Sequence, residues 1–456
     1  MELEPDARVA IIGGGPAGSL TAFFLLRLAR EMGQALRVEI FEPRDFSLTG
    51  PPGCNMCGGV ISESLMQKMA TEGIPLPKEV LLDAIDSYVL HTDSGSVAIR
   101  PRSDEMRIAS IFRGGGPAGA ESQKPLPWLS FDRHLLELAK GAGARHIPRR
   151  VRRLAWDAEH RPLLFLQPER GAARGGEGEL PGEGPYDLLV GCVGLNGSGV
   201  KLFDDLAFGY RPPPSDRAWI GELYMGHEEV HRRLGNAMHV FLLNIPRLKF
   251  AALTPKGHYA TLIILGQDVD EALAEQVLRS PEMRELLPVG WQTPVRPCHC
   301  QPRINLGAPH RPFTDRVVLV GDCASSRLYK DGIGAAYRMA KACALTVMTR
   351  GVGAEDFRLG YWPACRHLDR DNLLGHLLFS MDGLMRHLPP FRKAMLAVVG
   401  DEQRNPEDPR RLGSALWDTF TGSATYIDIF RRAAHPLNMY RLAMAILRAV
   451  FLRSRA

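Results

Sequence analysis

The N-terminal part of the chain alternates short apolar runs with one glycine-rich turn. Val9–Ile12 predicts a buried parallel strand, because it is a short apolar run that glycines close. The apolar residues from Leu20 to Leu28 predict a helix, and Arg37–Phe41 predicts a second strand. This order of strand, turn, helix and strand indicates an α/β fold with a Rossmann-type topology.

The turn after the first strand is Gly13-Gly-Gly-Pro-Ala-Gly18. Gly13 permits a tight turn, Gly15 lets the backbone approach a pyrophosphate, and Gly18 lets the helix pack on the strand. The helix N-terminus then faces the phosphate charge. Glu42 ends the second strand, where a carboxylate accepts a ribose hydroxyl. The predicted cofactor-binding residues are Gly13, Gly15, Pro16, Ala17, Gly18, Glu42, Pro43 and Arg44.

A second motif distinguishes a flavin dinucleotide from a nicotinamide one. Arg316–Val320 predicts another buried strand that ends at Gly321-Asp322, and Tyr186–Gly194 predicts a third strand of the same sheet. The acid can bind a ribitol hydroxyl, and the Gly332-Ile-Gly334 helix start can present N–H groups to a flavin carbonyl edge. The predicted FAD-binding residues here are Gly194, Gly321, Asp322, Gly332, Ile333 and Gly334.

These motifs resemble those of the para-hydroxybenzoate hydroxylase superfamily of FAD enzymes. Over about residues 1–350 the chain is most similar to the geranylgeranyl reductases. Ser130–Arg133 resembles the family segment whose arginine, here Arg133, lies near the cofactor. Pro52–Gly59 resembles the Cys-Gly-Gly segment that faces the isoalloxazine, which implies roles for Cys57, Gly58 and Gly59. The family's aromatic substrate motif is missing, since Leu253–Tyr259 keeps only its proline and tyrosine.

The resemblance implies reduction of C=C double bonds in an isoprenoid or related lipid. Reduced FAD would deliver hydride to one carbon, and a nearby acid would protonate the other. Cys57 is the candidate catalytic residue beside the ring. Tyr329 and Lys330 are further candidates, which polarise the flavin or anchor an anionic headgroup; the alternative for Lys330 is a solvated lysine. NAD(P)H and a ferredoxin-like protein both stay open as electron donors.

The positions of the motifs predict a discontinuous, glutathione reductase-like FAD domain. Alternating segments at Tyr88–Ile99 and Phe250–Leu265 predict hairpins of an antiparallel substrate domain. The glycine-rich segment Arg113–Gly119 is either a loop near substrate or a plain connector. The predicted regions are 1–80, 113–196 and 293–350 for the FAD domain, 81–112 and 197–292 for the substrate domain, and 351–456 for a helical C-terminal region.

Four cysteines leave two interpretations open. Cys54-x-x-Cys57 and Cys298-His-Cys300 together provide enough thiolates for zinc or an iron–sulfur cluster. Otherwise the first pair are flavin-facing thiols and the second pair are packing residues, with no metal. The cluster would make the protein an electron-transfer flavoprotein in place of a reductase. The other alternative to a reductase is a monooxygenase or halogenase on the same fold.

Charge and the C-terminus bear on the partners. A net charge of +5 gives no argument for nucleic-acid binding. The sequence shows neither a basic leader segment nor an apolar run of membrane-spanning length, so the expected location is the cytoplasm. From Leu437 to Ala456 the chain carries four arginines and no acid, which predicts an amphipathic helix. That helix either packs on the core or lies on a membrane surface. The arginines are Arg441, Arg448, Arg453 and Arg455, and the apolar residues are Met439, Tyr440, Ala443, Ile446, Leu447, Val450 and Phe451.

Overall fold

The structure is a computed structural model that describes residues 1–50, 52–102, 107–115, 128–168, 181–292, 298–405 and 407–451. The strands are β1 (Ala7–Ile12), β2 (Leu36–Phe41), β3 (Val60–Ser62), β4 (Leu81–Ile85), β5 (Ser87–Thr92), β6 (Gly95–Ile99), β7 (Ile108–Ile111), β8 (Arg145–Ile147), β9 (Val151–Trp156), β10 (Pro162–Leu166), β11 (Gly182–Glu183), β12 (Leu188–Gly191), β13 (Ser215–Tyr224), β14 (Ala237–Phe241), β15 (Leu248–Lys256), β16 (Tyr259–Gly266), β17 (Cys298–Cys300), β18 (Arg303–Asn305), β19 (Phe313–Thr314) and β20 (Val317–Leu319). The helices are α1 (Pro16–Glu31), α2 (Glu63–Thr71), α3 (Phe131–Ala142), α4 (His227–Leu234), α5 (Glu271–Arg279), α6 (Pro281–Arg284), α7 (Gly332–Thr349), α8 (Ala354–Leu359), α9 (Trp362–His387), α10 (Pro389–Arg404), α11 (Arg411–Thr421), α12 (Tyr426–Ala433) and α13 (Pro436–Phe451).

The fold is a mixed α/β fold whose chain divides into two units. Both units are discontinuous, and the chain leaves the first unit for the last time within α9. Residues 351–456, which the sequence groups into one region, are therefore shared between the units. The first unit comprises Met1–Leu48, Phe131–Ser215 and Arg303–Arg370, and the second comprises Thr49–Ser130, Asp216–Pro302 and Asp371–Ala456.

The first unit is built on a sheet with the strand order β19-β20-β12-β1-β2-β8. The pairs from β20 to β8 are parallel, and β19 joins the edge in the antiparallel direction. This arrangement confirms the four strands predicted from the sequence. Helix α1 packs on α7, where the Phe24 and Tyr337 rings meet edge to face at 5.7 Å. Its apolar residues are buried because it lies between other elements of this unit.

The second unit is built on a sheet with the strand order β17-β13-β16-β15-β14-β5-β6. The two predicted hairpins are confirmed as the antiparallel pairs β5 with β6 and β15 with β16. The sheet is not wholly antiparallel as predicted, because β14 pairs with β5 in the parallel direction. These two strands come from distant parts of the chain, so no tight turn fixes their direction.

Helices complete the second unit. The side chains of α5 and α4 join one face of its sheet in a core that includes Leu253, Leu262 and Leu273. After α9, the helices α10 and α13 pack together, and α11 packs on α12. In the described part of the chain, no helix is both long and apolar enough to cross a membrane.

Candidate functional site

The glycine-rich turn of the first unit is closed too tightly for side chains. Gly13 has a φ of +105°, and a Cβ atom there would lie 2.3 Å from the carbonyl oxygen of Cys192. A Cβ atom on Gly18 would lie 1.8 Å from the carbonyl oxygen of Gly13. Both roles predicted from the motif, the tight turn and the close packing of the helix, are therefore confirmed.

Helix α1 begins at this turn without a side-chain cap. Gly15 is the N-cap residue, Pro16 follows, and the first turn contains no acidic residue. The N–H groups of a first helical turn have no partner within the helix and carry a partial positive charge. This helix end can therefore bind an anion.

Glu42 lies directly beside the turn. Its carboxylate accepts hydrogen bonds from the backbone N–H groups of Gly14 at 3.0 Å and Arg44 at 2.9 Å. Each carboxylate oxygen keeps a lone pair that can accept a further hydrogen bond, as a ribose hydroxyl requires. Arg133 on α3 lies near this segment. The pKa of Asp45 is lowered, first by hydrogen bonds from Ser47 and further by the charge of Arg133.

The second predicted motif lies against the same turn. Gly321 has a φ of +86°, and a Cβ atom there would lie 2.8 Å from Cβ of Ala17. Asp322, which follows, is exposed, and its Oδ1 atom would lie 3.9 Å from a Cβ atom on Gly332. The structure thus brings together the start of α1, the end of β20 and the start of α7.

The residues before α7 hold an unusual backbone conformation. Tyr329 and Asp331 have φ values of 60° and 52°, which are uncommon for residues with a side chain. Asp331 caps α7 through a hydrogen bond from the Gly334 N–H at 3.1 Å and pairs with Arg338 at 3.0 Å. Burial lowers the pKa of Lys330 to about 8. The sequence analysis missed the role of Asp331, although an acid before a helix start is a recognisable N-cap signal.

In the second unit, two glycine-containing segments lie side by side. The Gly50 N–H donates to the Gly114 carbonyl at 2.7 Å, and the Ile111 N–H donates to the Gly59 carbonyl at 2.8 Å. The Gly59 N–H donates to Sγ of Cys57 at 3.4 Å. The Asn55 N–H donates to the Arg113 carbonyl at 3.4 Å, so the Pro52–Gly59 segment is hydrogen-bonded to the described start of the Arg113–Gly119 segment. Residues 116–119 lie outside the described part of the chain.

These segments cover a buried polar row on the main sheet of the second unit. Glu222 accepts a hydrogen bond from the Thr261 hydroxyl at 2.6 Å. A Cβ atom on Gly115 would lie 2.6 Å from Oε1 of Glu222, and one on Gly59 would lie 2.9 Å from Nζ of Lys256. Lys256 is only 2% exposed, and the hydroxyl of Thr254 is buried without a hydrogen-bond partner among the described residues. Sequence reasoning missed this row.

Burial raises the pKa values of several groups around this row. Burial raises the pKa of Glu222, although the charge of Lys256 opposes the shift. Burial also raises the pKa of the Cys54 thiol and brings that of Cys300 to about 12. The pKa of Tyr259 is raised well above its usual value, mainly by burial and further by Glu222. The region therefore holds groups that can retain a proton at neutral pH.

Comparisons with known proteins place this architecture. No protein-family model and no curated protein matches the chain. A solved structure of a geranylgeranyl bacteriochlorophyll reductase-like protein from Thermoplasma acidophilum matches with a TM-score of 0.62 and 13% identity, over 97% of this chain and 100% of that one. A flavin-dependent brominase matches with a TM-score of 0.59 and 13% identity, over 95% and 99%. A p-nitrophenol 4-monooxygenase from Pseudomonas putida matches with a TM-score of 0.58 and 13% identity, over 92% and 98%.

The chain has the fold of a flavin-dependent oxidoreductase. The resemblance that the motifs indicate is thereby confirmed at the level of the fold. Reductase-like, halogenating and oxygenating proteins all share this flavoprotein fold, so the fold leaves the reaction open.

The residues of the first unit fit the FAD that the shared fold implies. The uncapped start of α1 suits a pyrophosphate, and the remaining lone pairs of Glu42 suit a ribose. The exposed carboxylate of Asp322 is placed to accept a ribitol hydroxyl, and the start of α7 presents N–H groups. Gly194, with a φ of +62°, follows β12 in the same unit. Gly58 and Gly59 belong to the second unit, where a Cβ atom on Gly58 would lie 2.2 Å from Ile263.

The second pair of cysteines lies on β17. Cys298 pairs with Glu222 in the ladder of β17 and β13. Cys300 lies close enough to Cys54 and Cys57 for negative charge on those thiols to raise its pKa further. Over the residues that the structure describes, no three His, Cys, Asp or Glu side chains are arranged to hold a metal ion. The structure therefore gives no support to the cysteine-cluster alternative.

Proposed function

We propose that this protein is an FAD-dependent reductase that saturates a C=C double bond of an isoprenoid or related lipid. The supporting observation is the buried row of the second unit, where Glu222 and the Cys54 thiol have raised pKa values. Saturating a double bond requires one hydride and one proton. FAD in its reduced form supplies the hydride. Groups that keep a proton at neutral pH suit the second requirement.

Residues of the first unit bind and orient the cofactor in this proposal. The N–H groups at the start of α1 would hold the pyrophosphate, and Glu42 would hold the adenosine ribose. Asp322 would hold the ribitol, and the N-terminus of α7 would stabilise negative charge on the flavin. Lys330, with its pKa lowered to about 8, loses its charge at a lower pH than an ordinary lysine and would so adjust the charge at the start of α7.

Residues of the second unit provide the proton. Glu222 is fixed by Thr261 and is 8% exposed, so its carboxyl has a defined orientation and little access to water. Cys57 lies in the segment that covers the row, where its sulfur accepts the Gly59 N–H. We assign the proton donation to Cys57 and the storage of the proton to Glu222.

The test of this function is a single-turnover experiment with the flavin reduced by light under anaerobic conditions. Photoreduction avoids the choice between NAD(P)H and a ferredoxin-like protein as electron donor. We expect a polyprenyl lipid with an unsaturated chain to reoxidise the flavin, while its fully saturated counterpart does not. The product should be heavier by two hydrogens. If the lipid does not reoxidise the flavin, oxygen is then admitted; an oxygen atom incorporated in an organic product, or halide consumed, would instead establish a monooxygenase or a halogenase.

Substitutions at Cys57 and Glu222 should affect this turnover and leave the flavin content unchanged. We expect Cys57→Ala to slow reoxidation by lipid by about 100-fold, the size of a typical acid contribution. Glu222→Gln should keep the Thr261 hydrogen bond but remove the fall in rate that wild type shows as pH rises through the raised pKa of Glu222. Cys365→Ala, which removes a buried thiol of the first unit, serves as the control. Rates and pH profiles equal to wild type in both variants would end these assignments.

A further inference from the structure

The C-terminal helix α13 presents its apolar side outward. Six of its large apolar side chains are between 36% and 64% exposed. On the side that faces the rest of the second unit, Asn438 is buried and the other residues are half-buried. The exposed apolar residues are Leu437, Met439, Tyr440, Met444, Leu447 and Val450, and the inward-facing residues are Asn438, Arg441, Leu442, Ala445, Ile446 and Ala449.

Exposure of six large apolar side chains is unusual for a surface helix. A helix on the surface of a globular protein buries its apolar stripe against the core and shows its polar side to water. Helix α13 contacts α10 through its narrow inward side, and Arg441 pairs with Asp408 at 2.6 Å there. The exposed residues span about half of the helix circumference at 100° per residue. They form a continuous apolar surface, which we call the α13 face.

The charged side chains of α13 itself are positive. Arg448 is exposed at the border of the α13 face. The sequence from Leu437 to Ala456 contains no acidic residue, and two further arginines, Arg453 and Arg455, lie outside the described part of the chain. Two copies joined through this face about a two-fold axis would bring these arginines together without an acid on either helix to offset them. A surface with anionic groups and an apolar interior matches both the charge and the apolar side chains.

We propose that α13 is an interfacial helix that lies in the surface of an anionic lipid bilayer. Its apolar face enters the boundary between headgroups and acyl chains, and Arg448 contacts lipid phosphates. The contacts with α10 and Asp408 hold the helix on the second unit while this face is turned outward. This inference does not rest on the proposed reaction, since it follows from the exposure and charge of α13 alone.

The test measures binding of the full-length protein to vesicles by cosedimentation. The vesicles contain phosphatidylglycerol and phosphatidylcholine in equal amounts, or phosphatidylcholine alone. We expect wild type to bind the anionic vesicles at low salt, and Tyr440→Glu/Leu447→Glu to reduce the partition coefficient by at least about tenfold. Arg448→Ala should weaken binding to the anionic vesicles and leave binding to phosphatidylcholine unchanged.

A matched control separates the α13 face from general changes of charge and polarity. Met32→Glu/Val289→Glu replaces two apolar residues that are 54% and 98% exposed elsewhere on the surface, so it adds the same charge. This control should bind vesicles like wild type, and circular dichroism should show that both double variants are folded. Equal vesicle binding by the two double variants would refute the proposal. A dimer of wild type that Tyr440→Glu/Leu447→Glu dissociates in analytical ultracentrifugation, without any vesicle binding, would also refute it.

Discussion

Replacing Gly15 with valine is expected to give a protein that purifies without flavin colour. Gly15 has a φ of −69° and a ψ of −171°, a conformation that any residue can adopt. The backbone therefore does not demand glycine at this position, unlike Gly13 with its φ of +105°. The remaining reason for glycine is the space that a pyrophosphate needs beside the first N–H groups of α1. A branched side chain would occupy that space while the turn keeps its conformation.

The measurement is the amount of FAD released per chain on denaturation, together with the visible absorbance spectrum. We expect a loss of bound flavin of at least about 100-fold in affinity, because the phosphate contacts and the helix-terminus attraction are lost together. Gly141→Val provides the control, since Gly141 is exposed and a Cβ atom there meets nothing within 4 Å. A Gly15→Val protein with one FAD per chain would show that the pyrophosphate binds elsewhere.

The parts of this fold that the sequence predicts correctly are local ones. Gly13 follows β1, Gly18 lies in α1 and Glu42 follows β2, so that the geometry of one strand–helix–strand unit brings them together. Strand β20 and the start of α7 are likewise recognised from a short apolar run and a nearby glycine pair. In these segments the chemistry and the local conformation are encoded by the same few residues.

The buried polar row could not be predicted, because it depends on the register of strands that are distant in sequence. Glu222 lies opposite Thr261 in one ladder and opposite Cys298 in another. A shift of one residue in either ladder would turn these side chains to the other face of the sheet. In the sequence alone, Glu222 is a carboxylate in the apolar second half of β13, and nothing indicates its partners.

The outward apolar face of α13 shows a related limit. The spacing of its residues predicts an amphipathic helix correctly, but the pattern alone does not say which side meets the rest of the protein. The inward side could be predicted only with knowledge of the packing on α10 and of the hydrogen bond that the Asn438 amide donates to the Arg432 carbonyl. The orientation of an amphipathic helix is therefore a property of the packed structure.

Two buried histidines of the second unit are brought together by the parallel pair β5 and β14. Nε2 of His91 lies 2.9 Å from Nδ1 of His239, and the two rings are stacked with centroids 5.2 Å apart. Nε2 of His239 lies 3.4 Å from the carbonyl oxygen of Leu234 and must donate to it. Nδ1 of His239 is therefore the acceptor for the N–H of His91. Both rings are neutral in this arrangement, and a proton added at Nδ1 of His239 would break the bond between them.

Acidification should therefore destabilise the protein in a window set by these two histidines. Burial lowers the pKa of each from 6.5 to about 4. Between these values the unfolded chain binds more protons than the folded one, so the free energy of unfolding falls as pH decreases from 6.5 toward 4. The full effect is about 3 kcal/mol for each histidine, at 1.36 kcal/mol per pKa unit. Urea unfolding at a series of pH values measures this loss of stability, most cleanly above pH 5, where most carboxylates are still ionised.

His91→Phe/His239→Phe should flatten the dependence of the unfolding free energy on pH, because neither ring can then take up a proton. Replacing the exposed His367 by Phe should leave that dependence unchanged. A slope that persists in the double variant would assign the acid sensitivity to other groups.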